Sequence, residues 1–166
     1  MLAVRILVTR PSLVVAAADP VLFGVWTGQP ARPADITAAL SVAVSHARTL
    51  KHCAIFVATH PDQPLPDAAV REIIQTEMRK LDPYLACGAT VLTRDGFIGT
   101  AMRAVVSTLQ LLSRPTHPEK IFGTPREAAA FIHGVLAPRM DSAPSTSDIV
   151  AAYDEATRKA WGKAAA

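Results

Sequence analysis

From Leu2 to Trp26 the apolar residues of this chain come in short runs separated by turn-forming residues, which is the pattern of strands. Residues 2–8 make the first run, Thr9-Arg10-Pro11-Ser12 is the turn that ends it, and Leu13–Ala17 and Val21–Trp26 give two more. The chain is therefore expected to open as an antiparallel meander. Past the loop Thr27-Gly28-Gln29-Pro30-Ala31-Arg32-Pro33 the period changes, and Ile36, Leu40, Ala43, Ala47 and Leu50 fall on one helical stripe. Cys53–Ala58 is continuously apolar, as a central strand covered on both faces would be. After the Pro-rich loop Thr59–Pro66, with Pro66 suited to a first helical turn, Val70, Ile73, Ile74, Met78 and Leu81 form the apolar face of a second helix. Asp82-Pro83 ends it.

A strand over Ala89–Thr93 comes next, followed by a helix from 95 to 113 with Asp95 as its candidate cap. Its apolar residues, Phe97, Ile98, Met102, Val105, Val106, Leu109, Leu111 and Leu112, lie nearly all round it, and Arg103 is its one charge. A helix of that kind is either deeply buried or half of an interface. Lys120–Phe122 reads as a short edge strand, and Thr124-Pro125-Arg126-Glu127 as a capping box that opens a helix running to near Pro138. The expected organisation is an α/β domain over 1–137 with a mixed sheet, a linker at 138–147, and a tail at 148–166 whose Ile149, Val150, Tyr153, Ala156 and Trp161 suggest a short amphipathic helix.

Composition narrows the functional classes. Half of the 166 residues are hydrophobic, enough for a filled core. The net charge of +3 comes from Lys and Arg scattered singly or in pairs, without the basic stripe that nucleic-acid binding needs. The N-terminus lacks the pattern of a secretory signal, and Asp19-Pro20 interrupts Leu13–Trp26, itself too short to span a bilayer. A cytoplasmic protein without membrane insertion is expected. The abundance of Ala, Pro and Arg and the absence of Asn read as a GC-rich bacterial genome.

Candidate chemistry is sparse. Cys53 and Cys87 have no CxxC or Cys/His spacing and read as buried free thiols. None of His46, His52, His117 and His133 has a partner at ligand spacing, so neither a metal nor a cofactor is expected. Thr59, His60 and Asp62 form the one cluster of reactive groups in a loop at the carboxyl end of a strand, where α/β folds place their sites. They lack the nucleophile and oxyanion hole of a triad, and read as solvated turn residues or a recognition loop. Arg94-Asp95-Gly96-Phe97-Ile98-Gly99 is far from a phosphate-binding loop.

A meander feeding an α-β alternation, closed by the phrase Lys120-Ile121-Phe122-Gly123-Thr124-Pro125-Arg126-Glu127-Ala128-Ala129-Ala130-Phe131-Ile132, resembles the STAS domain of anti-sigma-factor antagonists and their Sec14-like relatives over residues 2–136. The resemblance implies a regulatory or scaffold protein without catalytic activity that acts through protein partners, as a homodimer if it self-associates. STAS antagonists carry a phosphorylatable Ser or Thr where the helix after the central strand begins. This chain has Asp62-Gln63-Pro64-Leu65-Pro66-Asp67-Ala68-Ala69 there, and Thr59 is the nearest hydroxyl upstream. The expected interface anchors are Phe97, Met102, Val105 and Leu109 on the apolar helix and Tyr153 and Trp161 in the tail. The Sec14-like relatives suggest an alternative: a small apolar or lipid-like ligand held under that helix and the 59–66 loop.

Overall fold

A computed structural model describes residues 1–164, so the last two residues of the expected tail lie outside the described residues. Six strands, β1 (Arg5–Thr9), β2 (Leu13–Ala18), β3 (Val21–Trp26), β4 (Cys53–Thr59), β5 (Leu85–Val91) and β6 (Glu119–Phe122), form one sheet in simple chain order. The first three are antiparallel neighbours and the rest are added in parallel. The expected α/β fold with a mixed sheet and an N-terminal meander is the observed one.

Each parallel connection advances the strand order by one place, and right-handed crossovers put all such connections on the same face. The helices α1 (Pro33–Ala47), α2 (Ala68–Leu81) and α3 (Gly96–Ser113) accordingly share one face of the sheet. α4 (Pro125–Leu136) and α5 (Thr146–Ala164) cover the other. Side chains alternate between the two layers. Phe23, Phe56, Cys87 and Ala89 point toward α4 and α5, whereas Leu22, Cys53 and Ile55 point toward α1 and α2. Cys53 and Cys87 thus lie on opposite faces of the sheet. Both are free, and burial pushes each thiol up to about 12.

The two layers are not equally filled. On the α4/α5 side Phe56 lies between Phe23 and Tyr153, with ring centroids 5.7 and 4.6 Å away, and Ile132, Leu136 and Ile149 are fully buried beside them. The expected tail is thus a long helix of this layer. Lys159 Nζ donates to Val4 O at 2.8 Å, and Trp161 Nε1 donates to Trp26 O at 3.0 Å. The expected linker is held as well, since Pro144 is buried and its carbonyl lies 2.8 Å from His133 Nδ1. Ser145 then caps α5 by accepting from Asp148 N–H while donating to the Asp148 carboxylate.

Local signals locate most helix ends. Thr124 Oγ1 accepts from Glu127 N–H, the cap half of the expected capping box, and its hydroxyl donates to the Glu127 carboxylate. α2 begins two residues after Pro66, because the Asp67 side chain accepts from Val70 N–H at 2.8 Å and makes Asp67 the cap. Asp95 stands at the cap position of α3 but makes no capping bond. β5 starts at Leu85, earlier than the Ala89 expected, directly after a 3₁₀ turn at Asp82–Tyr84. The inclusion of Gly88 in this strand matters below.

The packing of Phe56 against Phe23 and Tyr153 makes Phe56→Ala a cavity mutation at the centre of the α4/α5 layer. It should lower unfolding free energy by about 3–5 kcal/mol in urea titrations followed by circular dichroism.

Candidate functional site

On the opposite layer α1 and α2 pack on the sheet while α3 stands off it, with Gly99 and Met102 as its only buried residues. The gap is a cleft of about 150 Å³. Its floor follows the strand alternation, with Gly24 and Trp26 from β3, Ile55, Val57 and Thr59 from β4, and Gly88 and Thr90 from β5. The two glycines remove side chains from the floor and so help to keep the space open. Ile74 and Met78 of α2 form one wall, and Met102, Val105, Val106 and Leu109 of α3 the other. Gln63, Pro64 and Pro66 close one end.

Gln63, a residue that chain patterning gave no role, is the clasp of that end. It is buried, accepts from Gly28 N–H at 2.9 Å and donates to Gln29 O at 2.9 Å, tying the 59–66 loop to the loop after β3. Gly28 has φ +91°, and His60 packs against it so closely that a Cβ there would stand 2.8 Å from His60 Nδ1. The other side of His60 meets Trp161 edge-on, with ring centroids 5.1 Å apart.

The expected loop cluster is therefore largely structural. His60 Nδ1 accepts from Asp62 N–H at 3.0 Å, while the Asp62 carboxylate is 4.0 Å away and its side chain 85% exposed. Thr59 alone of the three lines the main cleft. The expected interface anchors are also redistributed. Met102, Val105 and Leu109 face the cleft, and Tyr153 is a core residue whose burial, with the charge of Asp154, pushes its hydroxyl up to about 12. Trp161 docks on its own domain through Trp26 O. Phe97, 89% exposed, remains at the surface. The apolar circumference expected for α3 resolves into an inward wall and an outer face with Thr100, Ala104, Ser107 and Thr108 at its middle. Its large exposed apolar residues, Phe97, Ile98, Leu111 and Leu112, lie at the two ends.

The other end of the cleft holds a polar cluster that spans long sequence distances. Glu119, the first residue of β6, lines the cleft and lies 2.8 Å from His117 Nε2. His117 Nδ1 lies 2.7 Å from Asp82 Oδ1, off the line of a good hydrogen bond, so that this contact is mainly electrostatic. The Asp82 carboxylate also accepts from the backbone N–H and hydroxyl of Thr116, both at 2.8 Å. His117, expected to lack partners, thus holds its ring between two carboxylates and is only 3% exposed.

Burial of the ring opposes its protonation, but the hydrogen bond and charge of Glu119 and the charge of Asp82 outweigh this and raise the His117 pKa above its ordinary 6.5. His117 and Glu119 are close in the chain, but His117 lies in the bend before β6, outside the strand alternation that would have paired them. Asp82, 35 positions before His117, became a partner only through the fold. No group of His, Cys, Asp and Glu among the described residues is arranged to hold a metal ion, and no described helix is long and apolar enough to cross a membrane. Comparison with protein-family models, curated proteins and solved structures finds no match for this chain.

The raised pKa of His117 makes folding bind a proton. Its contribution to stability is complete below pH 6.5, its ordinary pKa, and is lost as pH rises through the higher value of the folded chain. The urea-midpoint difference between the native chain and His117→Gln should therefore narrow across that window, measured from pH 5.5 upward. A difference independent of pH would contradict the pairing.

Proposed function

We propose that this protein binds a small, mainly apolar molecule in the cleft between α3 and the sheet. The observation that carries the reading is the cleft itself: about 150 Å³, bounded by Ile55, Val57, Ile74, Met78, Val105 and Leu109. Well-packed domains leave few voids larger than a water molecule. A cavity of this size with aliphatic walls is in the range that admits a benzene-sized guest. An apolar guest would restore the contacts that α3 lacks with the sheet, each CH₂ that it buries contributing roughly 0.8 kcal/mol.

The partner-binding alternative ranks second, because three of the four α3 anchors that it needed face this cleft. It is supported by the exposure of Phe97 and Leu111, which is 78% exposed, at opposite ends of α3. A phosphate-switched antagonist role has less support still, since α2 is capped by the carboxylate of Asp67 and not by a hydroxyl. The ligand reading is of a binding protein without catalytic activity: His60 is packed between Gly28 and Trp161, and His117 is committed to two carboxylates.

Fluorobenzene, a neutral probe of benzene size, tests the cleft reading. Its ¹⁹F signal should shift and broaden on titration with the native chain, and Val105→Trp, which fills the cleft, should weaken binding about tenfold or more. Leu111→Ala, on the outer face, should leave binding unchanged. No change of the ¹⁹F signal with the native chain, or equal affinity for Val105→Trp, would overturn the reading.

A further inference from the structure

Glu119 is the only charged residue among those that line the cleft. The other polar ones, Thr59, Gln63, Gln75, Thr90, Gln110 and Ser113, are neutral. Its side chain is 11% exposed, and Oε1 is the atom in contact with His117. Oε2 has no hydrogen-bond partner among the described residues. The cluster behind it combines two carboxylates, Asp82 and Glu119, with one imidazolium when His117 is protonated. These three side chains then carry a net charge of −1.

Two further features support a negative potential and an accessible Glu119. Gln110 and Ser113 bring the last turn of α3 to the same end, and the carboxyl end of a helix attracts positive charge. Arg79 offsets part of this effect by donating to Leu112 O at 3.3 Å, but Arg79 is exposed and does not line the cleft. Gly88, the register partner of Glu119 across the β5–β6 pair, leaves room for the carboxylate. A Cβ there would stand 3.1 Å from Glu119 Cγ and 3.2 Å from Oε1.

We infer that the cleft selects ligands with an apolar body and a protonated amine, the amine donating to Glu119 while the body lies between Met78 and Met102. This rests on the cleft being a ligand site and adds the chemical class of the ligand. An ammonium gains a charge-assisted hydrogen bond in a poorly solvated site. A carboxylate in the same place would meet Glu119 with like charge, and no cationic side chain lines the cleft to offset it.

The test is a series of closely matched size: 2-phenylethylamine, 2-phenylethanol and phenylacetate, titrated into the full chain at pH 6.5 and followed by chemical-shift changes. The amine should bind about tenfold or more tightly than the carboxylate, with the alcohol between them. Glu119→Gln, shown to be folded by circular dichroism, should abolish the preference for amine over alcohol. Gly88→Ala, which crowds the carboxylate from the opposite strand, should weaken amine binding more than alcohol binding. Equal affinity for all three ligands, or tightest binding of the carboxylate, would overturn the inference while leaving the cleft reading intact. Binding of none of the three would overturn both. The native-chain series decides the question even where a variant fails to fold.

Discussion

The architecture follows from the order of the strands. Because the sheet is built β1 to β6 without a reversal, the three parallel connections fall on one face, and the other is left for whatever follows β6. α4 and α5 fill that second face around Phe23, Phe56 and Tyr153. Three helices must share the first. α1 and α2 dock on the sheet, and α3 is tied down by two side-chain bonds, Arg103 near its middle reaching back to Leu92 O after β5 and Arg79 of α2 donating to Leu112 O in its last turn. The cleft is the space left under α3 from Met102 to its last turn.

Polar contacts brace this space because few apolar ones do. Gln63 fastens the loop at one end to the turn after β3. Asp82, Thr116, His117 and Glu119 fasten the other, linking the end of α2 to the start of β6. The polar groups are far apart in sequence and joined across the fold, so each end depends on the tertiary structure around it. The glycines of the floor contribute by what they omit: Gly24 and Gly88 stand where a larger side chain would take up part of the cleft.

Much of the fold was legible from periodicity. The meander, the stripe of α1 and the capping box at Thr124 each rest on short-range rules that tertiary packing did not overturn. The long-range features were not legible. Nothing within Ile149–Trp161 distinguishes a helix that docks on its own sheet from one that awaits a partner, and the contact of Tyr153 with Phe56 decides it. The surround of apolar residues on α3 could not show which side faces the sheet. The pairing of Asp82 with His117 required β5 and β6 to be neighbours, which no local pattern encodes. Gly88 sits inside β5, whereas the pattern rules began the strand at Ala89.

The four methionines give a direct reading of the central claim, that α3 and the sheet enclose a ligand site. Met78 and Met102 line opposite walls of the cleft, Met140 packs with the α4/α5 layer, and Met1 is fully exposed. In a chain labelled with ¹³C at the methionine methyls, titration with neutral 2-phenylethanol should shift the Met78 and Met102 signals and give nuclear Overhauser contacts from both to the ligand ring. The Met1 and Met140 signals should stay in place. Shifts at Met1 or Met140 without contacts at Met78 and Met102, or no contacts at all, would contradict the account.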